Sequence, residues 1–551
     1  MIHFFRSLLN TLSGVVSIVV YVTLIIELIF MLSMVTVHSF KDIHYYIFLL
    51  IFLDSMVRLI IQPSRSFGYT RLIIGLCAII PILNYQGIQL LPFDINLGMQ
   101  QGFLFCLALT RLNHLSFLFE PLRTNPTQSF VGGFVLFILL GAVFLTLPMA
   151  HHGTLPFIDA LFTAASAVCV TGLNVVDVGT HFSAVGQFVL LFLIQIGGLG
   201  IMTFYALVTL SLHQRFMSKE SQELQQGWST ENAHETFGLI RGIFIVTFFV
   251  ELLGAIAIFI ALPDTMSIKA RLFGSVFHSV SAFCNAGFSL FSDSLGIFSS
   301  NGSILVVFAV LIFLGGIGFP VLFELYHRFI VRDRHRLKLQ TKMALYISLI
   351  LILLGTLVIY FQSMVSGLDA LGIAFFHSVS SRTAGFSMLD LSSFSFASLW
   401  FILLLMFIGA SPGSTGGGIK TTTFGLLFVA LFNTIRSRER IHVFDRHVKP
   451  QLVFKALAIL TMSFFIVFSA FFLLLITEDL PFFPLLFETV SAFATVGYSM
   501  GITAELSITG KLVMIFLMFF GRVGPLTLAF ALTRRPKPAN YKLPDEPILL
   551  G

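Results

Sequence analysis

SAFCNAGFS, residues 281–289, is the stretch on which this chain turns, because the same phrase occurs three more times. It stands as SAVCVTGL at 166–173, SSRTAGFS at 380–387 and SAFATVGYS at 491–499. Each copy carries a glycine at the same place: Gly172, Gly287, Gly385 and Gly497. About 24–28 residues further on comes a second glycine mark, deep in an apolar run. These marks read IGGLG at 196–200, LGGIGF at 314–319, IGASPGSTGGG at 408–418 and FGRVGPLT at 520–527. Four diverged copies of one unit predict fourfold pseudosymmetry about a central axis. A glycine in a short polar gap between apolar segments, repeated in each copy, predicts backbone lining that axis, the arrangement of an ion pore.

The rest of the chain agrees with a membrane setting. Of its 551 residues, 57% are hydrophobic and 11% charged, with a mean hydropathy of +0.96. A soluble domain carries about 25% charged residues, so a water-soluble globule is excluded. The positive balance, pI about 9.1, sits in short loops between apolar runs, which marks cytoplasmic loops and not a nucleic-acid-binding face. Cysteines 77, 106, 169 and 284 lie in or beside apolar segments without a CxxC pair. They read as small packing residues and imply neither disulfide nor metal site. The first apolar run, Gly14 to Val35, is too long for a signal-peptide core and reads as a retained span.

Twelve spans are expected, each long enough to cross roughly 30 Å of hydrocarbon. Four come first, near 13–36, 44–62, 70–92 and 99–118. Eight more pair around the glycine phrases: 130–148 with 186–210, 242–262 with 303–326, 343–361 with 398–433, and 456–476 with 511–533. The domain reading is therefore a four-span N-terminal region at 1–125, then repeats at 126–210, 211–326, 327–433 and 434–551, with a polar stretch around Trp228 inside the second. Twelve spans put Arg6, Arg65, Arg71 and Arg123, the basic loops at 328–342 and 436–455, and the tail residues Arg534, Arg535 and Lys537 on one side with both termini. The positive-inside rule makes that side cytoplasmic. The basic loops read equally as membrane-flanking charge and as docking sites for an acidic partner face.

Each glycine phrase then dips in from the outside, preceded by a stretch too short to cross: 156–168, 269–283, 368–381 and 483–494. A short helix fits each, with Pro156 and Pro484 suited to the first turns of two of them. The helix C-terminus would point its partial negative charge at the axis, favouring a cation there. Non-helical backbone at membrane depth is tolerated only when buried or lining a cavity. A dehydrated monovalent cation needs a cage of oxygens, which consecutive backbone carbonyls supply. Glycine permits the positive φ such a backbone needs. The candidate ion-binding residues are therefore Val170, Thr171 and Gly172; Asn285, Ala286 and Gly287; Thr383, Ala384 and Gly385; and Thr495, Val496 and Gly497. The third copy is one residue short between its first serine and its glycine, so the symmetry is imperfect.

These phrases, with GASPGSTGGGIKTTTF at 409–424 and FFGRVGPLT at 519–527, resemble the Trk/Ktr/HKT superfamily of potassium transporters. The likeness covers about residues 125–533 and is nearest to the bacterial TrkH/KtrB membrane subunits. It implies an all-α polytopic membrane protein of four M1–pore-helix–M2 repeats in the bacterial cytoplasmic membrane. It also implies potassium at the filter carbonyls, a homodimer with one pore per subunit, and a cytoplasmic ring of nucleotide-binding RCK (KTN) subunits, TrkA/KtrA-like, that gates it. By the same resemblance, Ala410, Ser411, Pro412, Gly413, Ser414, Thr415, Gly416, Gly417 and Gly418 form an intramembrane loop that blocks the pore below the filter. Lys420 follows that loop. The residues agree: four glycines and a proline interrupt an apolar span that no helix crosses cheaply. Arg522 is a lone charge deep in the last span, where a charge is costly and faces a cavity with a partner. The resemblance makes it an electrostatic barrier near the loop. In the plant branch, serine in the first filter accompanies sodium preference, so Gly172 favours potassium. A sodium-conducting or sodium-coupled transporter is the alternative.

Four acidic residues after the filters, Asp177, Asp293, Asp390 and Glu505, read either as a cation-concentrating ring or as solvated loop charges. His278, His377 and Glu488 share one register before their glycines, with Thr163 in the first copy, and read as a polar face of the short helices in preference to a metal site. Asp54, Arg58 and Arg111 are too sparse for a voltage sensor. An intramembrane enzyme is disfavoured because no GxSxG or paired catalytic aspartates occur, and no cofactor beyond the ion is implied.

Overall fold

The computed structural model describes residues 126–532 except 201–232, 264–265, 299–301, 333–335, 363–367, 439–440 and 445. The expectations for residues 1–125, for Trp228 and for the tail after 532 lie outside the described residues. The chain divides into two compact units, and the larger carries every element named below.

The described residues are mostly helical, with almost no strand. They run α1 Pro126–Leu145, α2 Phe157–Val168, the four-residue α3 Val178–His181 and α4 Ala184–Leu199. Then come α5 Ala233–Ala261, α6 Ile268–Phe283, α7 Gly302–Ile317 and α8 Phe319–Phe329. The third group is α9 Leu339–Gln362, α10 Leu368–Ser380, α11 Phe396–Phe407 and α12 Thr421–Ile435. A small antiparallel hairpin, β1 His442–Val443 and β2 Arg446–His447, precedes α13 Pro450–Thr477, α14 Phe482–Ala494, α15 Ile508–Val523 and α16 Pro525–Leu532.

The stretches 241–261, Leu339–Gln362 and Pro450–Thr477 are each long and apolar enough to cross a bilayer, and a third or less of each is buried. Their outward faces carry exposed Phe248, Phe249, Ile260, Phe464, Phe465 and Phe468. Such surface is ruinous in water but is the ordinary face of a helix solvated by lipid. The hydrophobic effect cannot press such helices together inside lipid, so close backbone approach does. Gly254 lies against the Ser279 hydroxyl and Leu311, and Gly355 against the Ser378 hydroxyl and Leu405. The Ser279 and Ser378 hydroxyls donate to the Glu251 and Ile352 carbonyls, at 2.6 and 2.8 Å.

The short helices α2, α6, α10 and α14 form the buried centre. At about 1.5 Å per residue, their 12 to 16 residues fall short of a bilayer. Ser267 caps α6 by accepting from the Ala270 amide at 3.3 Å. Proline fixes the entry to the other capped pair, at Pro156 for α2 and Pro481 for α14, so Pro484 falls inside α14 and does not begin it. Each short helix packs on the long helix before it: α2 on α1, α6 on α5, α10 on α9, α14 on α13. Each inner helix packs on the next short helix in turn: α4 on α6, α7 on α10, α11 on α14, and α15 back on α2. The order thus closes on itself. Lys511 Nζ meets Asp159 Oδ1 at 2.6 Å across the α15–α2 junction.

The inner helices depart from the single straight spans expected. Residues 303–326 are two helices, α7 and α8, bent by 101°. Gly318 at the bend has φ +97°, a conformation costly for any other residue, and Pro320 follows inside α8. Residues 511–533 break the same way at Gly524, φ +89°, ahead of Pro525. α4 ends at Gly200, φ +77°. The third span, 398–433, opens into the irregular stretch 408–420 between α11 and α12.

Candidate functional site

The four glycine phrases meet. A side-chain carbon on Gly172 would strike the Ala286 carbonyl oxygen, and one on Gly287 the Ala384 oxygen. On Gly385 it would strike the Val496 oxygen, and on Gly497 the Thr171 oxygen. Each glycine lies against the carbonyl of the next unit, and the fourth returns to the first, so the contacts form a closed ring.

The backbone within each phrase follows one rule. The glycine has positive φ, from +69° to +95°, and so does the residue two before it. Those residues are Val170 (+57°), Asn285 (+58°), Thr383 (+91°) and Thr495 (+51°). Alternating the sign of φ turns successive carbonyls to one side, where an ordinary strand would alternate them. Asn tolerates the left-handed region, but a β-branched valine or threonine there is strained by roughly 1–3 kcal/mol. Strain of that kind persists only when the surroundings hold it, and the first serine of each phrase does the holding. The Ser166, Ser281 and Ser491 carbonyls accept from the Thr171, Ala286 and Val496 amides at 2.7, 2.7 and 2.9 Å. The Ser166 and Ser491 hydroxyls accept from the Gly172 and Gly497 amides at 3.0 and 3.1 Å. In the shortened third copy the Ser380 carbonyl accepts from the Gly385 amide itself at 3.1 Å. At least one N–H of each phrase is thus taken up by its own first serine, while the Thr171, Ala286, Ala384 and Val496 carbonyls meet the glycines of the ring. Sequence reasoning gave these serines no role, although their place at the head of every phrase was a visible signal.

In three of the four copies the shared polar register braces the segment after the glycine. His278 Nδ1 donates to the Gly274 carbonyl at 2.7 Å, which leaves Nε2 to accept from the Leu290 amide at 3.2 Å. His377 Nδ1 lies 3.0 Å from the Tyr498 hydroxyl, which donates to the Phe386 carbonyl at 3.2 Å and so links the third and fourth phrases. Glu488 accepts from the Thr503 hydroxyl at 2.9 Å and from Ser499. Thr163 turns back to the Asp159 carbonyl at 2.8 Å. Among the described residues no group of three or more His, Cys, Asp or Glu is placed to hold a metal ion. Of the acidic four, Asp177 and Asp390 act as caps, accepting from the Gly179 amide at 2.8 Å and the Ser392 amide at 3.0 Å. Asp293 and Glu505 are exposed. Cys169 and Cys284 are free and buried.

The stretch 408–420 lies against the inner ends of the phrases. The Thr415 hydroxyl is hydrogen-bonded to the Asn285 side chain at 3.1 Å. Gly416 touches the Thr383 hydroxyl and Gly417 the Thr495 hydroxyl, with no room for a side chain at either. Three consecutive loop residues thus meet the innermost residue of three phrases. The bend at Gly318 anchors the other side: the Ser411 and Thr415 amides donate to the Gly316 and Gly315 carbonyls at 3.0 and 3.2 Å. The Phe319 amide donates to the Gly413 carbonyl at 2.9 Å. Ala410 closes the base of the loop, its carbonyl accepting from the Thr421 amide at 3.2 Å. The Ser411 and Thr421 hydroxyls lie 2.9 Å apart. Pro412 presents its carbonyl to Gly318, and Gly418 lies beside Gly409. Ser414 Oγ is buried without a partner. Two cations hold the loop. Lys420 Nζ donates to the Gly416 carbonyl at 2.7 Å. Arg522 donates through Nη1 to the Thr415 carbonyl and through Nη2 to the Gly197 carbonyl on α4.

Fold and site together define a multi-pass, all-α membrane protein in which short helices and glycine-bearing phrases converge on one closed ring. The family model described as TrkH, cation transport protein, matches residues 99–543, and the chain belongs to that family. It is 40% identical over 440 residues to Ktr system potassium uptake protein B of Bacillus subtilis, covering 78% of this chain and 97% of that one. It is 37% identical over 456 residues to the potassium/sodium uptake protein NtpJ of Enterococcus hirae, covering 78% and 98%. The crystal structure of the potassium transporter TrkH from Vibrio parahaemolyticus shares the fold, with a TM-score of 0.59 at 19% identity over 90% of this chain and 98% of that one.

Proposed function

We propose that the chain takes up potassium through the glycine ring, with the loop 410–418 as its gate. The observation that carries this reading is the cyclic contact of Gly172, Gly287, Gly385 and Gly497 with the carbonyls of Ala286, Ala384, Val496 and Thr171. A cation entering the ring exchanges water for carbonyl oxygens held by a braced backbone. Four helix C-termini end within the phrases, three to five residues before the glycines, at Val168, Phe283, Ser380 and Ala494, and their partial negative charge favours the cation. Glycine in all four phrases and the names of the Ktr relatives support potassium. The potassium/sodium name of the Enterococcus relative supports a second reading, a pore that also passes sodium.

Thr415, Gly416 and Gly417 press against Asn285, Thr383 and Thr495, so a cation leaving the ring inward meets the loop. Lys420 and Arg522 pin the loop and add positive charge on that side. Opening requires these bonds to yield together. The push comes from a cytoplasmic ring of nucleotide-binding regulatory subunits, consistent with relatives named as part of a Ktr system. The protein works as a homodimer in the bacterial cytoplasmic membrane, with both termini and its basic loops cytoplasmic.

The test is growth of a potassium-uptake-deficient bacterium at low potassium, with a regulatory subunit co-expressed. Wild type should rescue and Gly385→Asp should not, at equal protein in the membrane. Rescue by both would overturn the filter assignment. Rescue by neither would shift the reading to sodium, which sodium flux would then measure.

A further inference from the structure

Arg382 is a further buried charge at the site, and nothing above uses it. It stands three residues before Gly385, where the other phrases hold Cys169, Cys284 and Ala494. It is 5% exposed. Its Nη1 donates to the Ser348 carbonyl on α9 at 3.1 Å, while its Nε has no partner. The Ser348 hydroxyl beside it is also unpartnered. Among the described residues Arg382 forms no ion pair, whereas Lys511 at the fourth inner helix is matched by Asp159.

A buried cation without a counter-charge is expensive even after the surroundings relax. A methionine or glutamine of similar length would fill the space more cheaply. The position therefore acts through its charge or its fork, and the two separate experimentally. We infer that Arg382 sets the cation affinity of the ring, its fixed positive charge raising the energy of a bound cation in the third quadrant alone. This rests on the filter reading above.

Three residues of chain and one side chain separate the guanidinium from Gly385, a reach of about 18 Å at most. Buried charges are little screened by salt. At an effective dielectric of about 20, two unit charges roughly 12 Å apart repel enough to change an equilibrium about tenfold. The sign is fixed: the charge loosens cation binding. Loose binding suits a pore, since conduction requires an ion to leave as readily as it enters. The charge also sits at the C-terminal end of α10, where it offsets that helix's partial negative charge. The third short helix then attracts the ion less than the other three.

The experiment is potassium-dependent uptake by proteoliposomes holding the full chain, with KM and maximal rate measured separately. Arg382→Met and Arg382→Gln should lower KM roughly tenfold without raising the maximal rate. Arg382→Lys, which keeps the charge, should leave KM within about twofold of wild type. Ser348→Asp, which pairs the guanidinium in place, should lower KM as the neutral variants do. A packing or positioning role alone would lower yield or maximal rate and leave KM unmoved. A folded Met or Gln variant with wild-type KM, or a Lys variant matching Met, overturns the inference. If Met fails to fold, Gln keeps a donor for the Ser348 carbonyl, and Ser348→Asp keeps Arg382 itself. Gly385→Asp in the same assay isolates the underlying reading: uptake retained there would remove the filter, whereas uptake lost there with KM unmoved in the neutral variants would remove only the role of Arg382.

Discussion

Arg522→Met removes two hydrogen bonds from a charged donor, one to the Thr415 carbonyl in the loop and one to the Gly197 carbonyl on α4. A hydrogen bond to a charged group contributes about 1.5–3 kcal/mol. At the low end the pair holds the closed loop by about 3 kcal/mol, an equilibrium factor of about 150. A loop open about 1% of the time would then be open more than half the time. The assay is potassium flux into proteoliposomes without regulatory subunits, at matched protein. Basal flux should rise by one to two orders of magnitude. Arg522→Lys separates tether from barrier. Lysine keeps the charge but cannot reach two carbonyls on different elements at once, so a tether predicts Lys close to Met. A purely electrostatic barrier predicts Lys close to wild type. Flux unchanged or lower in Arg522→Met would refute the reasoning.

Ser491→Ala strips the part-buried Gly497 amide of its partner, which costs about 1 kcal/mol; the melting temperature should fall and potassium-over-sodium discrimination should weaken, whereas an unchanged ratio would mean the serine clamp is not shaping the ring. Gly172→Ser must hold φ +90° and push against the Ala286 carbonyl, so the potassium-to-sodium ratio should drop, and a preserved ratio would count against the ring as filter. His181, in the turn before α4, is held below its ordinary pKa by burial first and then by His151 and His152. The unfolded chain therefore binds the proton first as pH falls below about 6.5. Thermal stability should decline from there downward, and His181→Gln should flatten that part of the profile.

Much of the architecture was legible because it was written four times. The four short helices begin and end within a residue or two of their expected bounds, since the glycine phrase closes each and proline or serine opens three of them. Three features were not legible. That the chain breaks at Gly318, with a 101° bend, and at Gly524 is not read from the apolar runs that hold them, which read as single straight spans. The strained φ of Val170, Thr383 and Thr495 opposes the preference of those residues and is imposed by neighbours. Arg382 was hidden inside a phrase read for its glycine.

The sequence by itself determined that this chain is a helical membrane protein that carries one glycine-bearing phrase four times. Those are local properties: apolar run length against bilayer thickness, and the φ that glycine alone adopts without cost. Only the tertiary structure decided that Gly497 comes back to Thr171, that 415–417 face Asn285, Thr383 and Thr495, and that Arg522 spans from the loop to α4. These contacts join residues from about 30 to more than 300 positions apart. No local pattern encodes such pairs, and the packing of each inner helix on the next short helix brings them together.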